Sequence, residues 1–248
     1  MKILIDFDPI IYAAAAASED FIDVGDFSYR ICDQKRVQYK IVSDTERLKQ
    51  KLGATEVEYA MTSSTNFRNT MIWEDYKGHR DPKSRPCGLR AARAWARDYF
   101  DAQIIEGLEA DDILGLRAHE FDVIVADDKD METLPDATVY KPGKEIFVKT
   151  TQASADTFWL TQALQGDTAD GYKGCPGVGA VKAARLLEPL EGDLGAQWAA
   201  VVEAFESADL TVDDAVIQAQ LARILRAGEL VDGVPVLWLP KGVGLIEE

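Results

Sequence analysis

Along the first 150 residues, short apolar runs that end in acids alternate with segments of helical period. Lys2-Ile-Leu-Ile-Asp6 reads as a buried strand closing on Asp6 and, at the same parity, Asp8, with an alanine-rich helix following to about Ser18. Weak alternation over residues 26–43 (Phe27, Tyr29, Ile31, then Val37, Tyr39, Ile41) predicts a hairpin, and a helix is expected from about Asp44 to Leu52. The strand Glu56–Met61, a loop over 62–68, and a helix burying Leu89, Ala92, Trp95, Ala96 and Tyr99 come next. A strand at 103–106, a helix opening at Glu109, a strand at 122–126 and a hairpin around Pro142-Gly143 complete this part. After about residue 152 the pattern is almost wholly helical: 154–165, 180–188, 195–206 and 212–227, ending in an extended tail at Val234–Leu239. The predicted organisation is an α/β core with a mostly parallel sheet over residues 1–152, then a helical unit over 153–248.

In an open parallel sheet the carboxyl ends of the strands lie along one edge, so residues distant in sequence converge there. Acids recur at those ends: Asp6 and Asp8, then Glu109, Asp111 and Asp112, then Asp128 and Asp130. Asp167 and Asp170 open the helical half. Capping accounts for one acid at a helix start. Glu109, Asp111 and Asp112 within four residues repel one another by more than the ~1 kcal/mol a cap returns, unless a cation lies between them. Oxygen donors without accompanying histidine or thiolate point to Mg2+ or Mn2+. The number of acids points to two ions, an arrangement suited to phosphodiester hydrolysis.

Composition changes this picture in two places. The formal charge of −16 argues against a membrane-surface or polycation-like role. Yet Lys77, Arg80, Lys83, Arg85, Arg90, Arg93 and Arg97 stand against Asp81 alone within residues 77–97, so charge is segregated along the chain and a nucleic-acid partner stays open. Arg90, Arg93 and Arg97 share one helix face, with Arg93 expected on its outer side. Three widely spaced cysteines, Cys32, Cys87 and Cys175, fit a reduced cytoplasmic setting better than a disulfide scaffold, and no signal peptide is expected. In the helical half, Gly174-Cys-Pro-Gly177-Val-Gly179 precedes Lys182 and Arg185, a turn whose amides open a helix and can grip backbone phosphates without reading sequence.

Taken in order, Asp6, Tyr76-Lys77-Gly78-His79-Arg80, Glu109-Ala-Asp111-Asp112, Asp128-Lys-Asp130, Gly166-Asp167-Thr-Ala-Asp170-Gly171 and Gly174–Gly179 resemble the 5′ nuclease family. That family includes flap endonucleases, the 5′ nuclease part of bacterial DNA polymerase I and phage 5′–3′ exonucleases. The match spans roughly residues 1–190, and Gln218–Arg226 resembles the exonuclease branch of short-tailed phages. The resemblance implies a PIN-like nuclease core, a helix-three-turn-helix (helix-hairpin-helix-like) module and two divalent ions. It places Asp6, Glu109 and Asp111 at the first ion, Asp128, Asp130 and Asp167 around the second, and Asp112 and Asp170 nearby or acting through water. Lys77 polarises the scissile phosphate in this scheme, Arg80 steadies it, and Tyr76 stacks on a terminal base. Arg93, Gly174, Gly177, Gly179 and Lys182 contact DNA, with K+ expected at the Gly174–Gly179 turn.

One position departs from the family. Ser63 stands where relatives usually carry an aspartate, and Asp8 is the nearest acid of suitable parity. The expected activity is 5′–3′ exonucleolytic hydrolysis of duplex DNA, extending to flaps or RNA primers, in the host cytoplasm if the chain is phage-encoded. The alternatives are a PIN-type ribonuclease and a catalytically weakened structure-specific DNA-binding protein.

Overall fold

The computed structural model describes residues 1–79 and 85–240. Its centre is a five-stranded sheet built from β1 (Lys2–Asp6), β4 (Glu56–Ala60), β5 (Val123–Val125), β6 (Thr138–Lys141) and β7 (Ile146–Lys149), in the order β4-β1-β5-β6-β7. All neighbours run parallel except the edge strand β7. Ile3, Leu4 and Ile5 are wholly buried, as a central strand covered on both faces requires.

Asp8 does not extend β1. It begins α1 (Asp8–Ala16), because Pro9 presets helical φ in the first turn. The expected hairpin over 26–43 is also shifted: β2 (Glu19–Val24) pairs with β3 (Phe27–Cys32), and residues 34–52 form a single helix, α2. Asp33 caps it through the amides of Lys35 and Arg36, and Gly53 ends it in the left-handed region. Val37 and Ile41 are one helical turn apart and lead to Thr45, Leu48 and Leu52 on the same buried stripe. Tyr39, which completed the apparent alternation, is 74% exposed.

The strand expected at 103–106 is reduced to one bridge between Gln103 and Ala60, after which the chain turns, Leu108 N–H donating to Ile105 O at 3.1 Å. Helices α3 (Leu89–Phe100) and α4 (Ala110–Arg117) follow on either side of that segment. The later helices are α5 (Gln152–Gln165), α6 (Ala180–Leu187), α7 (Leu194–Glu206) and α8 (Val212–Ala222), then a two-stranded turn, β8 (Leu230–Val231) with β9 (Val234–Pro235).

Helix α8 stops five residues short of the expected end because the chain leaves to join the sheet side. Ile224 and Leu225 enter the apolar cluster of Leu4, Leu108 and Ile113. Gly115 permits the crossing, since a Cβ there collides with the carbonyl oxygen of Leu225. The helical half has its own core around Trp159, Leu160, Val201 and Phe205, and Tyr76 from the earlier segment is part of it. The tail packs back on the helical half, with Trp238 edge-on to Trp159 and Trp198 at 4.8 and 5.0 Å between ring centroids. Among the described residues no helix is long and apolar enough to cross a membrane.

Candidate metal centre and nucleic-acid interface

Parallel pairing of β4, β1 and β5 brings Asp6, the loop after Ala60 and Asp127-Asp128 to one sheet edge. Helix α4 points its N-terminus there. Glu109 is its cap residue, accepting from the amide of Asp112, whose carboxylate accepts the Glu109 N–H at 3.2 Å in return. Asp111 lies in the first turn.

These carboxylates are in electrostatic conflict. Burial, then Asp128, pushes the carboxyl of Asp6 up to about 7 despite the opposing Arg93. Burial followed by Asp6, Asp128 and Glu109 raises Asp111 well above the usual carboxylate range. Asp130 is pushed up to about 6 by burial and Asp128. Groups that share a half-buried site and disfavour each other's ionisation form a donor set that a divalent cation stabilises. The donors are all oxygen, which fits a hard ion. Among the described residues no three of them are drawn together at ready-made ion-binding separation.

Glu109 behaves in the opposite way. Burial disfavours its charge, but Lys77 and Arg68 outweigh burial and hold its carboxyl below the ordinary range. The ammonium of Lys77 lies 2.6 Å from Glu109 Oε1 and 3.5 Å from Asp170 Oδ1, tying the sheet half to the helical half. Its backbone sits at φ 56°, held by an N–H bond to Asp170 O at 2.9 Å. On the second side, Asp128 caps a short 3-10 turn over Lys129–Thr133, and Gln162 of α5 donates to Asp130. Lys129 Nζ reaches Asp167 Oδ2 at 2.9 Å, and Asp167 also accepts the amide of Ala169 at 2.7 Å. A small polar cavity lined by Tyr76, Glu109, Asp111, Asp130, Asp170 and Tyr172 joins the acids of both halves.

No protein-family model matches the chain. The exodeoxyribonuclease of Enterobacteria phage T3 is 27% identical across 96% of this chain and 93% of its own length. The exonuclease of Escherichia phage T7 is 26% identical with the same two coverages. These relatives bear out the resemblance to the 5′ nuclease family read from the sequence. Solved structures share its fold. A 5′-exonuclease of phage T5 with bound divalent zinc superposes with a TM-score of 0.58 at 18% identity, over 89% of this chain and 93% of that one. The bacteriophage T5 flap endonuclease in a pseudo-enzyme-product complex with DNA and metal ions gives 0.60 at 17% identity, over 86% and 87%.

Several residues of the site sit differently from expectation. Asp112 is fully buried in a two-pronged pair with Arg68, Oδ1 to Nη2 and Oδ2 to Nη1 each at 2.8 Å. Both of its oxygens are engaged, so it anchors Arg68 and does not face an ion. Tyr76 is 3% exposed, and its hydroxyl donates to Asp170 Oδ2 at 2.8 Å and to Glu109 Oε2 at 3.3 Å; a ring so enclosed cannot stack on a terminal base. Arg93 is not on the outer side of α3. It turns inward to Asp8 and the carbonyl of Thr62. Asp8 also accepts the Thr62 amide at 2.9 Å, so it holds the loop after β4 and does not replace a missing ligand. Ser63 Oγ donates to Glu106 Oε2 at 3.2 Å and accepts from the amides of Thr65 and Gly107 at 3.3 Å. Arg80 lies outside the described residues.

The glycine turn divides in two. Gly174, at φ +66°, sits directly against the backbone of Leu164–Gly166, and its amide is taken by Gln218 Oε1 at 2.7 Å. Gly177 and Gly179 have open space around them, Gly179 caps α6, and Lys182 is exposed beside them. The organising residue that sequence reasoning passed over is Arg68. Besides Asp112 it donates to the carbonyls of Leu221 at 3.3 Å and Arg223 at 2.6 Å, fastening the end of α8 to the acidic edge. Its only local signal is an arginine after an aromatic in a loop, and every hydrogen bond of its guanidinium reaches at least 41 residues away.

Proposed function

We propose that this chain is a divalent-metal-dependent 5′–3′ exonuclease that hydrolyses phosphodiesters of duplex DNA from a 5′ end, nick or flap. The observation that carries the reading is the meeting of mutually repelling carboxylates from three sheet-side segments with the helical half, where Asp170 shares the ammonium of Lys77 with Glu109 and Asp167 takes that of Lys129. The names of the T3 and T7 relatives, and the metal- and DNA-bound T5 structures, support the same chemistry.

In this reading Asp6, Glu109 and Asp111 hold one Mg2+ or Mn2+ ion, and Asp128, Asp130 and Asp167 hold a second. Such ions, when bound, supply an activated water and neutralise charge on the leaving oxygen. The protein's own groups do the rest. Lys77, kept cationic by Glu109 and Asp170, opposes negative charge that builds on the phosphoryl oxygens. Tyr76 and Asp170 position that lysine from below, since the Tyr76 hydroxyl bridges the same two carboxylates. Gly177, Gly179 and Lys182 hold duplex phosphates away from the reacting centre, with K+ at the exposed backbone of the same turn.

The test is digestion of a duplex labelled at its 5′ end, with Mg2+, Mn2+ or chelator, by the native chain and by Asp111→Asn. Labelled mononucleotides released only with metal, and lost in the variant, are the expected result. Release from the 3′ end, or cleavage of RNA alone, overturns the proposal.

A further inference from the structure

The two lysines that meet the acids are held in unlike ways. The side chain of Lys77 is 18% exposed and shared by Glu109 and Asp170, so the site encloses it. That of Lys129 is 52% exposed, while the Asp167 carboxylate it meets at 2.9 Å is 11% exposed. Lys129 also stands in the 3-10 turn between Asp128, which caps that turn, and Asp130. It therefore rises from among the carboxylates assigned above to the second ion. Burial works against its charge, but the bond to Asp167 and the attraction of Asp130 and Asp128 outweigh burial and hold the ammonium above its ordinary range.

The two oxygens of Asp167 have different tasks. Oδ1 accepts the amides of Ala169 at 2.7 Å and Asp170 at 3.4 Å, and so shapes the loop that leads into the glycine turn. Oδ2 is the oxygen left for a cation, and the ammonium of Lys129 is on it. Asp112 is also engaged at both oxygens, but its partner Arg68 is 3% exposed and locked in place. Lys129 instead reaches Asp167 on a flexible four-carbon stem, half of it in water. An ion pair with so exposed a member is weak and opens readily. On the two-ion reading given above, we propose that Lys129 is a tethered cation that competes with the second divalent ion for Asp128, Asp130 and Asp167, the ion being admitted as the ammonium leaves Asp167 Oδ2. Charge count tunes the affinity of hard-cation sites, so one fixed positive charge among three carboxylates weakens the set for a divalent ion. The displaced ammonium stays within the reach of its stem beside the set, where a phosphate oxygen of the substrate is its next acceptor.

Calorimetric titration of the full chain with Mn2+, without DNA, tests it. Lys129→Met keeps the length of the side chain and removes its charge, and is expected to bind one ion on the order of 10-fold more tightly than the native chain and the other within about 2-fold. Lys129→Arg, which keeps the charge, is expected to bind both ions as the native chain does or more weakly. Lys49→Met removes the same formal charge in the last turn of α2, where Lys49 O accepts the Ala54 amide just before β4 at the amino ends of the strands, and is expected to change neither affinity. Both ions bound alike by the native chain and Lys129→Met overturn this proposal and leave the two-ion reading standing. A Lys129→Met chain that binds more weakly also overturns it, and shows that the lysine orients Asp167 for the ion. Equal tightening by Lys49→Met overturns it in favour of net charge. A native chain that takes up no Mn2+ overturns the two-ion reading and this proposal together.

Discussion

Replacing Arg68 by alanine removes a guanidinium that is 3% exposed and meets five acceptor oxygens at once: the two of Asp112, Glu109 Oε2 and the carbonyls of Leu221 and Arg223. Asp112 is left wholly buried beside the amides of Glu109 and Leu225, without its counter-charge. Removing one partner of a buried pair costs about 3–5 kcal/mol, because the stranded charge keeps its desolvation penalty. The abandoned carbonyls add to that, less than additively since all these bonds share one group. Measured against a total of ~5–15 kcal/mol for a domain, this is a large loss. Urea denaturation of Arg68→Ala should show it as a lower midpoint. Arg68→Met combined with Asp112→Leu should recover most of it, because an apolar pair strands no charge. Arg68→Lys should recover little, lacking the planar fork that meets both carboxylate oxygens. A loss under about 1 kcal/mol in Arg68→Ala, or a double variant as unstable as the two single changes summed, refutes the argument that the pair works as a buried unit.

Three further outcomes are expected. Lys77→Ala should slow single-turnover cleavage at saturating enzyme by about 100-fold or more while changing duplex affinity little, because in the proposed scheme its ammonium opposes charge on the phosphoryl oxygens; an unchanged rate removes it from the chemistry. Without metal, thermal stability should fall as pH rises from about 4 to about 7. Asp6 and Asp130 titrate near 7 and 6 in the folded chain, above their unfolded value of 3.8, so the folded state loses ground as the unfolded carboxylates ionise first. Mg2+ should therefore raise the melting temperature more at pH 8 than at pH 5, and equal shifts at both contradict the repulsion argument. Ser63→Asp should leave the Mg2+ concentration for half-maximal cleavage unchanged or raised, since Ser63 Oγ faces Glu106 and two loop amides; a clear tightening shows that the loop turns this position toward the ion.

Local pattern alone determined the parts of the fold whose cause is local. The apolar run Ile3-Leu4-Ile5, the acids after it and the start of α4 at Glu109 follow from burial, strand direction and capping, and the acidic edge was legible because parallel strands align their carboxyl ends. The change to helices after residue 152 was legible for the same reason. Where two periods fitted one stretch, the pattern misled: Val37, Tyr39 and Ile41 satisfy alternation, yet Val37 and Ile41 are also one helical turn apart, and the surface against α1 and α3 chose the helix. Only tertiary structure decided what each charged side chain faces. Asp111 and Asp112 are neighbours in one turn, but one meets Asp6 and Asp128 while the other meets Arg68, because successive helical residues point about 100° apart. Tyr76, Arg93 and Asp8 were likewise assigned to the right region and the wrong partners. Those side-chain partners lie 31 to 94 residues away, and a sequence pattern carries period and parity but no direction across the fold.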